Sequence, residues 1–166
     1  MNHYSVIVAG GSRARFFTLE AAQIPELESG PHLVEQRDLI NTVNQAHDST
    51  LWSDTKSGRN RAPGGGPSHG YDDHRVQHED EFERRFARDI AEEATRMVKS
   101  NNTRHVILVA QKRMLGFLRG AIDPLVKAGV NIQEFAKDLG KLPARDLHEH
   151  LSKEKLLPPC RRHPAA

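Results

Sequence analysis

The chain has a single cysteine, almost no net charge and no long apolar run, and each shortage removes an argument for a class of protein. Cys160 stands alone among 166 residues, so no intrachain disulfide forms and no multi-cysteine zinc site can be built. A reducing compartment suits such a chain. Lys and Arg number 24 against 22 Asp and Glu, a formal charge of +2, too near balance for net charge alone to argue for a nucleic-acid partner. Any such argument rests on small local clusters: Lys56, Arg59 and Arg61; Lys112 and Arg113; Arg161 and Arg162. No run is long and apolar enough to cross a bilayer, and the opening residues lack the basic segment and extended apolar run of a secretory signal. The expectation is a cytoplasmic protein with no membrane partner.

What remains is a globular composition with a polar lean. Hydrophobic residues make up 37% and charged residues 28%, while the mean hydropathy of -0.65 is consistent with a substantial unpacked segment. The reading is one domain over 1–152, a long glycine-rich loop at about 41–80, and a mobile tail over 153–166. Tyr4 to Ala9 is apolar and β-branched, Gly10-Gly11-Ser12 is a turn signal, and Ala14 to Glu20 resumes a strand, so the chain opens on a hairpin. A turn around Pro25 to Pro31 precedes a third strand over His32 to Ile40.

Between Asn41 and Asp80 no hydrophobic period survives, and the segment holds Lys56-Ser-Gly-Arg-Asn-Arg-Ala-Pro-Gly-Gly-Gly-Pro-Ser-His-Gly70. A loop of that length in a compact domain is functional or disordered. Phe82, Phe86, Ile90, Ala94, Met97 and Val98 then recur every three or four residues, the stripe of an amphipathic helix ending near Ser100-Asn101-Asn102. His105 to Ala110 has the continuous apolar run of a strand covered on both faces, which places it at the centre of the sheet. Met114 to Gly129 reads as a second helix that Pro124 kinks or divides, Val130 to Ala136 as a short strand, and Pro143 to Leu151 as a last helix. Three antiparallel strands followed by helix, strand, helix, strand, helix is the order of a ribonuclease H-like three-layer α/β fold: a five-stranded mixed sheet with helices on both faces, its later strands parallel to the first.

The residues able to carry chemistry cluster in few places. A nuclease of the ribonuclease H type gathers carboxylates on two divalent ions, beginning with an acid in the first strand, and Tyr4 to Ala9 contains none. Gly64, Gly65 and Gly66 let a backbone approach a ligand closely, with Arg59 and Arg61 placed to hold phosphates; a plain flexible linker has the same composition. The segment matches neither the Walker A nor the dinucleotide pattern. In the second strand Arg13 and Arg15 share one face and are placed to flank an anion, or else form a solvated strand face. His69, His74 and His78 are the metal-capable candidates, set against solvated histidines at a loop edge. Trp52 either stacks on a base or pins the loop, and Cys160 has no dedicated base within the sequence pattern.

With these residues in view the chain resembles the bacterial host-attachment family. The resemblance rests on Val6-Ile-Val-Ala-Gly-Gly-Ser-Arg-Ala-Arg-Phe-Phe17, on the glycine-rich loop leading through Asp73-His74 into Glu81-Phe82, on the segment from Val106 to Arg119, and on Ala136-Lys-Asp-Leu139. That family in turn is similar to the middle domain of archaeal and eukaryotic peptide-chain release factors and of Pelota-type ribosome-rescue proteins. Release factors carry a Gly-Gly-Gln tripeptide in the loop before the first helix, and Gly64-Gly65-Gly66 occupies the comparable place here. Gly66 has no side chain to position water. The resemblance therefore implies a non-catalytic module with no cofactor. It would bind the ribosome or structured RNA through Arg13, Arg15, Arg59, Arg61, the three glycines, Lys112 and Arg113. The alternatives are an attachment-related factor acting through a protein partner and a divergent hydrolase using the His and Asp cluster.

Overall fold

A computed structural model describes residues 3–41 and 69–162, with side chains described from residue 78 onward in the first helix. Five strands form one sheet in the order β3-β2-β1-β4-β5. They are β1 (Tyr4–Ala9), β2 (Arg13–Glu20), β3 (His32–Ile40), β4 (His105–Ala110) and β5 (Asn131–Ala136). The helices, in chain order, are α1 (His69–Asn101), α2 (Lys112–Ala121), α3 (Asp123–Lys127) and α4 (Ala144–Lys153). β1 to β3 form an antiparallel meander, and β4 and β5 run parallel to β1, as helical crossovers require. This is the α/β mixed sheet expected, in an arrangement compatible with the ribonuclease H-like order. β1, rather than β4, is the middle strand. β4 is interior and buried on both faces as its apolar run demands, but two strands of the meander lie beyond β1 and only β5 lies beyond β4.

Alternation along the strands sends side chains to two separate cores. Ile7, Ala9, Ala14, Phe16, Val106, Leu108 and Ala110 face α1 and α2, where Phe86, Ile90, Ala94, Met97, Leu115 and Leu118 meet them. Val6, Val8, Phe17, Leu19, Ile107 and Val109 face the opposite layer, closed by Leu147 and Leu151 of α4 and by Leu139 and Leu157. Each layer thus pairs one parity of the strands with one helical stripe. Asn102, at φ 51, ends α1 in the left-handed conformation that asparagine tolerates, and Gly129, at φ 91, turns the chain from α3 towards β5. Of the two outcomes expected at Pro124, a kink or a division, the helix is divided: α2 stops at Ala121 and α3 begins at Asp123, with Pro124 in its first turn.

Two further expectations are corrected. Residues 69–80, expected within the loop, lie in α1, which runs to 33 residues; polar helix formers such as Arg75, Gln77, Glu79 and Glu81 extend it without needing an apolar face. The segment after 153, expected to be mobile, is packed through residue 162. Leu157 is buried in the second core, and Arg161 bridges to Gly30. The apolar pair Leu156-Leu157 supplies the anchor.

Candidate functional site

The carboxyl ends of the parallel strands define one edge of the molecule, and several chemistry-bearing groups meet there. β1 ends at Ala9, and the hairpin that follows is closed by Gly10 donating to the Arg13 carbonyl at 2.8 Å. β3 runs antiparallel to β2 and so ends at the same edge. Its exit is fixed by buried Asn41, whose backbone N–H donates to Ser12 (2.8 Å) and whose Nδ2 donates to the Gly11 carbonyl (3.2 Å). β4 ends there too, and Gln111, in extended conformation at φ -66 and ψ 157, turns the chain into α2. Open α/β sheets present ligand crevices at such carboxyl ends.

α1 reaches the same edge from the other side. Arg113 pairs with Asp80 and, through Nε at 3.0 Å, with Glu83. Arg84 lies 5.4 Å above the Phe117 ring, fastening the two helices again. The buried stripe of α1 runs from Phe86 to Val98, a rise of about 18 Å that matches a six-residue strand. The helix N-terminal to Phe86 therefore extends past the core. Burial pushes the Glu83 carboxyl above its ordinary range, helped by Asp80 and Glu79 and opposed by Arg113.

Arg13 and Arg15 do share one strand face, but the structure gives them different surroundings. Arg13 is 52% exposed and forked onto Asp38, with Nε 2.8 and 3.0 Å from the two carboxylate oxygens. That bond raises the arginine further and holds Asp38 below its ordinary value. Arg15 is enclosed. Its Nε and Nη2 donate to Glu35 at 2.9 and 3.2 Å, its Nη1 donates to the carbonyls of Gly140 (3.2 Å) and Leu142 (2.6 Å), and its guanidinium covers the Phe17 ring at 4.8 Å. Four of its five N–H groups are thereby engaged.

Lys112 and Arg113 sit at the edge in the first turn of α2, both exposed. Arg59, Arg61, Gly64, Gly65, Gly66 and Trp52 lie outside the described residues, as do the side chains of His69 and His74. His78 is exposed and stacks on Phe82 with ring centres 6.3 Å apart. Among the described residues no group of three or more His, Cys, Asp or Glu side chains is arranged to hold a metal ion, and no helix is long and apolar enough to cross a membrane.

Sequence reasoning missed the partners of the arginines. Glu35 and Asp38 are legible as acids on β3, yet an even count puts them on opposite faces. The extra residue Gln36, at the bulge opposite Phe16 and Phe17, brings both onto the arginine face. The carbonyls of Gly140 and Leu142 left no local signal at all.

The sheet order, the two helical layers and the shared edge define an α/β module with a polar, arginine-bearing rim at the carboxyl ends of its parallel strands. Residues 5–151 match the family described as protein required for attachment to host cells, and the chain belongs to that family. No curated protein matches the chain.

Proposed function

We propose that this chain is a non-catalytic cytoplasmic module that docks on structured RNA, such as that of the ribosome, through the carboxyl edge of its parallel strands. The observation carrying the proposal is topological. Asn41, where the chain enters the glycine-rich segment, and the Asp80 to Glu83 turn of α1, the helix that follows that segment, belong to the edge that also bears Arg13, Lys112 and Arg113. The exposed pairs Arg13–Asp38 and Arg113–Asp80 are weak in water and can exchange a carboxylate for a phosphate at little cost. Arg59, Arg61 and Gly64 to Gly66 are part of the proposed contact. Arg15 is assigned to positioning instead, since its donors are taken by Glu35 and two carbonyls. The same reading carries the proposed relationship to the middle domain of release factors and Pelota. In that comparison Gly66 replaces the glutamine, which argues for binding without hydrolysis.

The test is cosedimentation of the full chain with ribosomes and with structured RNA across a salt series. Expected is binding that weakens as salt rises, with the double substitution Lys112→Gln, Arg113→Gln lowering the slope of log affinity against log salt by roughly 1 to 2. Binding that ignores both salt and these substitutions sinks the proposal. The family description supports a second reading, a role in attachment to host cells exercised through a protein partner. Crosslinks from the Lys112 edge to a protein, with none to RNA, would favour it.

A further inference from the structure

A groove of about 910 Å³ lies between α4, the turn before β3 and the returning C-terminal segment. It is remote from the carboxyl edge: His32 opens β3, and Asn41 follows the strand's last residue. The groove exists because the C-terminal segment folds back. Leu157 is buried, His148 Nε2 donates to the Pro158 carbonyl at 2.7 Å, and Gly30 and Arg161 exchange backbone hydrogen bonds of 3.2 and 2.9 Å. These contacts bring Cys160 and Arg162 to the same groove that Arg145 of α4 lines.

The lining is cationic on balance. Arg145 and Arg162 are exposed and have no ion-pair partner among the described residues. The carboxylate on the lining, Glu149, is held by Lys153 at 3.4 Å. Leu33 and Ala144 contribute apolar wall, and His32 contributes polar wall, with its ring nitrogens 3.3 Å from Ser29 Oγ and 3.7 Å from Cys160 Sγ. Two unpaired guanidinium groups brought to one groove by different elements, a partly apolar lining and a volume suited to a small organic molecule are the elements of an anion-selective site.

We propose that this groove binds a small organic anion whose carboxylate or phosphate is shared by Arg145 and Arg162. Cys160, the sole cysteine of the chain, stands on the wall and serves as a built-in reporter. The experiment follows alkylation of Cys160 in the full chain by iodoacetamide, with phenyl phosphate or benzoate as competing probe. Expected is saturable protection by one or both anions. In the double variant Arg145→Gln, Arg162→Gln, the midpoint should move by about tenfold or more, the scale of two lost charge-assisted contacts. A preference for phenyl phosphate assigns the site to phosphate ligands, and a preference for benzoate assigns it to carboxylates. Absence of saturable protection, or protection unchanged in the double variant, overturns the site. Should the double variant fail to fold, the comparison is made on the native chain, where about 1 M chloride is expected to abolish protection and an uncharged probe, benzyl alcohol, to give none. Equal protection by benzyl alcohol overturns the role given to the arginines.

Discussion

Arg13 and Arg15 are separated by one residue on the same strand and point the same way, yet what lies over each gives them different physical roles. Arg13 is half exposed beside an exposed carboxylate, so water competes for both partners and their pairing is worth little. Arg15 lies under the chain around Gly140 and Leu142, only 10% exposed, and its removal leaves two carbonyls without their donor while Glu35, itself open to solvent, turns to water. Arg15→Ala is therefore expected to cost about 1 to 3 kcal/mol, and Arg13→Ala less than about 1 kcal/mol. Urea unfolding measures both, and equal losses would contradict the assignment of Arg15 to positioning. An arginine in a strand is legible from the sequence. Whether it is free for a ligand depends on residues more than a hundred positions away.

Among the elements, α1 and α2 show how far periodicity reaches. The stripe from Phe86 to Val98 identifies the buried face of α1, because a helix over a sheet must repeat every three to four residues. The first turns of α1 carry no such stripe, and only their helical propensity extends the element to His69. In α2 the unusual feature is Gly116 and Gly120 on the exposed face, where a Cβ built at either position meets nothing within 4 Å. Both lie in a right-handed helix, so neither uses the freedom that distinguishes glycine. Replacing both by alanine is expected to raise stability by roughly 1 to 2 kcal/mol, read as an increased urea midpoint with an unchanged slope. A loss of stability would show that this face of α2 is covered by another part of the chain.

At the scale of the whole molecule, carboxylates shifted in opposite senses shape the response to acid. The hydrogen bond from Arg13 holds Asp38 below its ordinary value, and that from Arg119 does the same for Glu134. Each contributes stability that is present above the unfolded carboxyl value and lost as pH falls through the folded one. Glu83, raised by burial, has the reverse sign: ionising it costs stability as pH rises above the ordinary glutamate range. Comparing urea midpoints between about pH 3 and pH 7, the substitutions Asp38→Asn and Glu134→Gln are expected to flatten the acid-side decline. Glu83→Gln is expected to gain stability relative to the unaltered chain as pH rises through the carboxylate range. A decline unchanged by the first pair would mean that other groups govern it.

The order of strands and helices, the parallel course of β4 and β5 and the core faces of the strands and of α1 were determined by the sequence itself, because alternation and helical spacing are local properties that burial reads directly. Tertiary structure alone decided that Arg15 is enclosed while Arg13 is open, that Arg113 answers to Asp80 and Glu83, and that the C-terminal segment closes a groove against α4 and the turn before β3. Those pairings join positions distant along the chain. Distance along a sequence carries no record of which surfaces two packed layers will bring together.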